Sequence, residues 1–175
     1  MKKTFIVLSA IVFFAACSEK PTTLTEVSVK GKYSIVLPDY LEKTNELGTE
    51  PSLQYVNHKD EVYVVAYDES TKALAESGLD NIKKYYESVL GHITEGMENY
   101  KVGTPLDTVI NGKQAMIAKI TGQFKVHDEI HDCFYEMEVI QDSLKSVKVI
   151  TWTMDHHEDK FGGDMDNTIK SIKFL

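Results

Sequence analysis

Between Gln114 and Met154 the chain carries three consecutive runs of alternating side chains, separated by two short polar breaks. No other feature limits the fold as much, because a strand whose apolar residues recur at every second position has to bury one face. If strand 114–126 turns at Asp128-Glu129, and strand 131–141 turns near Ser143-Leu144 into strand 146–154, the cross-strand partners follow. Phe124 then faces Cys133 and Met154, Gly122 faces Tyr135 and Trp152, Ile120 faces Met137 and Ile150, and Ala118 faces Val139. Each row on that side is apolar or small, whereas Glu136, Glu138, Thr151 and Thr153 alternate to the other side. The runs predict an antiparallel meander with a shared apolar surface made by Phe124, Tyr135, Ile150 and Trp152. They also bury Cys133, and a thiol in apolar company is inert, so this cysteine reads as core and not as a nucleophile.

The remaining segments supply partners for that sheet. KYSIVLP alternates Tyr33, Ile35 and Leu37 on one side of a strand that Pro38 ends. SLQYV and EVYVVAY, separated by NHKD, predict a hairpin turning near Asn57 to Asp60. Val62 to Tyr67 is almost wholly apolar, as expected of a strand covered on both faces. Leu79, Ile82, Tyr86, Val89, Leu90, Ile93 and Met97 then recur at three and four residues, which predicts an amphipathic helix entered near Gly78 and Asp80. Asn111-Gly112, between TVI and KQAMIAKI, marks a two-residue hairpin because both turn positions need positive φ. The order of elements predicts an α+β fold, an antiparallel sheet of about six to seven strands sandwiched between helices.

The stretch DHHED at residues 155–159 admits two readings. The meander path brings the first turn and the end of the third strand to one edge, so His131 would oppose His156, with Asp132 or Glu158 nearby. Cβ atoms of such a cross-strand pair lie ~5 Å apart, and two imidazoles with a carboxylate suit a zinc-like divalent metal. His127 has the wrong parity to join His131. In the other reading Asp155 and Glu158 form an acidic helix-capping pair, followed by the stripe Phe161, Met165, Ile169 and Ile172.

The amino terminus carries an address. Lys2 and Lys3, an apolar run from Phe5 to Phe14 and the small pair before Cys17 read as an export signal, since the run is much shorter than the ~20 residues that span a bilayer. FAAC resembles a bacterial lipobox, in which cleavage after residue 16 exposes Cys17 for attachment of diacylglycerol. Phe14 stands where such boxes usually have Leu. Two acyl chains suffice for stable anchoring. The organisation expected is therefore a signal peptide at 1–16, a lipid-anchored flexible spacer at 17–30 and one domain at 31–175. Ser18 after the cysteine suits delivery to the outer membrane of a Gram-negative envelope.

Charge excludes one class of partner. Cleavage after residue 16 removes two lysines and no acid, moving the formal charge from −8 to −10. Nucleic acid is not expected on such a surface. All 19 cations are lysine, so bidentate guanidinium recognition is absent. The GxSxG, P-loop and HExxH patterns are absent, and the chain carries no CxxC pair.

As an ordered set, KYSIVLP, SLQYVNHKDEVYVVAYDES leading into a helix, INGKQA opening the meander and IKSIKFL at the end resemble the PsbP-like family, an α/β/α sandwich that includes small bacterial envelope lipoproteins. The resemblance spans Tyr33 to Leu175. It implies binding or scaffolding and supplies no active-site residues. The function expected is that of a noncatalytic, lipid-anchored envelope protein presenting a surface to another protein, with contacts sought on the acidic surface and the loop Asp39 to Glu50. The alternative is a metal- or small-ligand-binding protein, or a hydrolase, using His131, Asp132, His156 and Glu158. The oligomeric state stays open.

Overall fold

The computed structural model describes residues 22–175. The expected signal peptide, Cys17 and the first part of the expected spacer lie outside the described residues.

The chain begins with a hairpin of β1 (Leu24–Val29) and β2 (Tyr33–Pro38), followed by the short β3 (Glu42–Lys43), then β4 (Leu53–Asn57) and β5 (Val62–Ser70). Helices α1 (Thr71–Glu76) and α2 (Ile82–Thr94) follow, then β6 (Glu98–Val102) and β7 (Leu106–Ile110). The meander is β8 (Lys113–Val126), β9 (Glu129–Gln141) and β10 (Lys145–Met154). A single 3-10 turn at Asp155–His157 leads into α3 (Glu158–Ile169), and β11 (Lys173–Phe174) follows.

Two sheets result. The large one has eight strands in the order β3-β4-β5-β10-β9-β8-β6, with β7 pairing beside β6 on β8; the small one is β1-β2-β11. Every pair is antiparallel. The expected α+β sandwich is present, one strand wider than anticipated.

Each face of the large sheet has its own core. On one side α3 lays Phe161, Met165 and Ile169 over Val62, Val64, Phe134 and Val149, and β2 adds Tyr33, Ile35 and Leu37 to the same cluster. Met165 and Ile169 are at most 1% exposed, and full burial of such side chains stabilises by ~1.5–3 kcal/mol each. On the other side α2 sets Tyr85, Tyr86, Val89 and Ile93 over Ala118, Ile120, Met137 and Val139. The Asn81 side chain caps α2 by accepting from the Lys84 amide at 3.0 Å.

Several expectations need correction. Leu24–Val29 is a strand and not spacer: it pairs along β2 from Leu24 opposite Pro38 to Val29 opposite Tyr33, and Val27 and Val29 pack on the core. The β9–β10 register is as derived, with Trp152 opposite Tyr135 and Met154 opposite Cys133. The β8–β9 register is shifted by two, so Phe124 opposes His131 and Gly122 opposes Cys133. The cause is the turn, which sits at His127-Asp128 with φ of 49° and 68°, one residue before the expected position. A shift of two preserves the faces, so the apolar surface survives it. Asn111 and Gly112 do take positive φ, 48° and 77°. Asp155 and Glu158 do not cap: the chain passes through the 3-10 turn, and α3 starts without a side-chain cap.

Candidate functional site

The strand end decides the fate of the histidine pair. β10 pairs with β9 only as far as Met154 opposite Cys133, and the backbone then coils away, so His156 never takes the ladder position opposite His131. His131 stays on the face of Cys133 and Tyr135, whereas Asp132 lies on the opposite side of β9 and accepts from Gln123 Nε2 at 2.8 Å. His156 instead packs on His157, ring centroids 4.1 Å apart, and His157 Nδ1 meets the Asp60 carbonyl at 2.8 Å. Glu158 opens α3. Among the described residues no group of three or more His, Cys, Asp and Glu side chains is placed to hold a metal. His131, Asp132, His156 and Glu158 are therefore not one site.

The same meander builds a different feature on its α2 face. α2 has 13 residues and spans about 20 Å, whereas β8 has 14 residues and runs about 45 Å. The helix covers one end of the sheet and leaves the other half open. Across that open half four aromatic side chains stand on four adjacent strands: Tyr63 on β5, Trp152 on β10, Tyr135 on β9 and Phe124 on β8. Trp152 stacks on Tyr63 at 4.8 Å between centroids and 8° between planes, and on Tyr135 at 5.9 Å and 13°. Phe124 tilts against Tyr135 at 6.2 Å and 56°. Such stacks contribute ~0.5–1.5 kcal/mol beyond their buried area.

Two adjoining clefts border this row and share Phe124, Tyr135 and Trp152. One, about 390 Å³, runs past Val126, His131 and Met154 toward the β8–β9 tip. The other, about 340 Å³, is walled by Ile93 of α2 and Leu47. Leu47 belongs to the loop singled out in the sequence, and Gln54 holds that loop by accepting from the Leu47 amide at 2.8 Å and donating to the Gly48 carbonyl at 2.7 Å. Gly122 borders the row for a reason other than aromatic packing: a Cβ there would come 2.9 Å from Tyr100 Cβ, where the pairing of β6 with β8 is irregular between Glu98 and Lys101.

The groove is electrostatically one-sided. Burial raises the Cys133 thiol, with Asp132, Glu61 and Asp155 adding to the rise, so the thiol stays protonated at neutral pH. It contacts the His131 carbonyl at 3.6 Å and not an imidazole, in keeping with the core role read from the sequence. Burial also raises the Tyr63 hydroxyl, helped by Glu61 and Glu46.

Two carboxylates that sequence reasoning passed over lie on the opposite face, sealed beneath α3. Glu136 and Glu138 have no exposed surface. Lys119 Nζ stands 2.7 Å from Glu136 Oε1 and counteracts the upward pull of burial on that acid. Glu138 lies between Ile117 and Val149 in the ladder, and neither of its oxygens has a hydrogen-bond partner. Burial lifts it from the ordinary 4.5 to about 8, with distant Lys170 opposing, so burial favours its protonated form. The alternation of acids with apolar residues had signalled a separate face but not its cover.

No protein-family model matches the chain, and no curated protein sequence matches it significantly. Solved structures do. A cyanobacterial PsbP (CyanoP) from Synechocystis sp. PCC 6803 superposes with a TM-score of 0.57 at 10% identity, covering 93% of this chain and 99% of that one. LpqN of Mycobacterium tuberculosis, described as involved in cell envelope biogenesis, superposes with a TM-score of 0.54 at 11% identity, covering 89% and 92%. At such identities the likeness speaks for architecture alone, and the architecture of this chain is the PsbP-like fold.

Proposed function

We propose that this protein is a noncatalytic, lipid-anchored component of the bacterial cell envelope that binds another envelope protein through the open aromatic half of its large sheet. The observation that carries the binding role is the row Tyr63-Trp152-Tyr135-Phe124. It is too apolar to be left half covered without use, since exposed contiguous apolar surface on a folded domain marks interaction sites. Its lining of rings, aliphatic side chains and a protonated thiol suits adhesion better than bond-breaking chemistry.

The envelope assignment draws on the lipobox ending in Cys17 and on the structural likeness to LpqN. No helix among the described residues is long and apolar enough to cross a membrane, and the lipid on Cys17 would hold the domain at the surface. The outer membrane is the membrane proposed, from Ser18.

Pull-down from detergent-solubilised envelopes tests the reading. The native protein is expected to recover a partner that an anchor-only control and the variants Phe124→Ala and Tyr135→Ala do not. Recovery of nothing above the control, or of the same protein by all variants, refutes the proposed surface. Cys17→Ala is expected to move the protein out of the membrane fraction, and unchanged fractionation contradicts the anchor.

A further inference from the structure

The open aromatic groove has a charge as well as a shape. Glu95, just past the end of α2, lines the second cleft. Glu46 and Glu61 lie close enough to Tyr63 to act on its hydroxyl. Glu129 stands beside His131 at the mouth of the first cleft. The bases at the rim are histidines, each next to an acid: His58 is 3.4 Å from Glu46, His92 is 3.9 Å from Glu95 and His131 is 3.9 Å from Glu129.

Lysine is missing from this surface. The chain has 19 cations, yet among the described residues none lines either cleft. Lys148 comes near, but its ammonium sits 4.6 Å above the Tyr67 ring and 3.8 Å from Glu69, so its charge is already taken up. An apolar centre with an acidic rim complements a surface of the opposite pattern, and such complementarity sets partner choice and association rate.

We propose that the groove docks a polypeptide segment of the partner in which leucine or aromatic anchors are flanked by lysine or arginine. This rests on the binding role argued above and adds the chemistry of the bound segment. Apolar anchors enter the two clefts on either side of Trp152, while the cations meet Glu46, Glu61, Glu95 and Glu129. A bilayer fits less well. Val126 and Ile130 flank the β8–β9 tip and are 49% and 61% exposed, but Asp128 and Glu129 lie between them and would meet the like charge of an anionic leaflet.

Trp152, the single tryptophan of the chain, reports on the groove directly. A chain beginning at Ser18 retains every element of the described residues, from β1 at Leu24 to β11 at Phe174. Its emission is followed against four probes: a tryptophan-free twelve-residue peptide of lysine, leucine and phenylalanine; the same peptide with glutamate for lysine; the same with serine for leucine and phenylalanine; and phospholipid vesicles with and without anionic lipid. The first peptide is expected to shift the emission and to bind at least tenfold more tightly than the glutamate peptide in 50 mM salt, with the gap narrowing at 500 mM. Glu61→Gln with Glu95→Gln is expected to shrink that preference several-fold while the far-ultraviolet circular dichroism stays unchanged.

Equal binding of the lysine and glutamate peptides, a response to vesicles alone, or no response to any probe overturns the proposal. A concentration-dependent dimer that Phe124→Ala abolishes would assign the groove to a second copy, and also overturns it. If the peptides show no preference while the envelope pull-down still yields a groove-dependent partner, the charge assignment falls and the binding role stands. A lysine preference with an empty pull-down has the reverse meaning.

Discussion

The two faces of the large sheet invert the usual placement of residue types. The face under α3 is sealed over Glu136, Glu138, Thr151 and Thr153, all without exposure. The face under α2 is half open and holds Tyr63, Phe124, Tyr135 and Trp152, each only partly covered. Helix length does not explain this, since α3 with 12 residues is no longer than α2 with 13. The difference lies in what continues each layer. Beside α3 the small sheet extends the cover through Tyr33, Ile35 and Leu37. Beyond Met97, by contrast, the chain joins the edge of the sheet as β6 beside β8 and adds no layer over the aromatic row. Burial is thus set by the neighbouring layer, and the alternation within a strand specifies only which residues share a fate.

Substitutions can break this contrast or sharpen it. The largest effect is expected on the sealed face, where Ile169→Ala should lower unfolding free energy in urea by about 3 kcal/mol, because Ile169 has no exposure and α3 cannot collapse into the space. Lys119→Met comes next: it leaves Glu136 buried without its counter-ion and should cost about 2 kcal/mol at pH 8. That cost should shrink as pH falls and Glu136, raised by burial, takes up a proton, and a pH-independent cost would show that the pair is not electrostatic.

Glu138 predicts a slope with pH. Its folded value, about 8, lies above its ordinary 4.5, so the folded state holds a proton that the unfolded chain gives up. Stability is therefore greatest below about 4.5, falls as pH rises through that window, and levels off above about 8. Glu138→Gln should remove this contribution, leaving the variant about as stable as the native chain at pH 4 and more stable at pH 9. Equal thermal melting points at pH 9 would mean that Glu138 reaches solvent. The smallest effect is expected on the open face, where Ile150→Ala should cost about 1 kcal/mol because Ile150 is only partly covered. A loss matching that of Ile169→Ala would mean the groove is closed in solution.

Much of the framework was legible because it rests on periodicity. The meander, the Asn111-Gly112 turn and the stripes of α2 and α3 all follow from spacing, and Phe161, Met165, Ile169 and Ile172 are buried as read. The β8–β9 turn was misplaced because His127 and Asp128 adopt positive φ without a glycine to signal it. β1 was hidden by Thr25, Glu26 and Ser28, which pair as well as apolar residues when β2 offers the ladder. The metal hypothesis depended on β10 continuing past Met154, and no local signal separates a strand's last residue from the first of a 3-10 turn. The residues of the groove were visible as a shared surface, but its openness was not, since that depends on what continues the layer of α2.

The pairing of β11 with β2 brings Lys173 opposite Ser34 and Phe174 opposite Tyr33, across some of the longest sequence separations in the domain. Tyr33 is fully enclosed in the sealed core, so that core cannot finish assembling until the strand at residues 173–174 has arrived. Loops of this length close slowly, and a domain whose early strand waits on a late one is expected to acquire its final packing in a single late step instead of growing outward from its amino terminus.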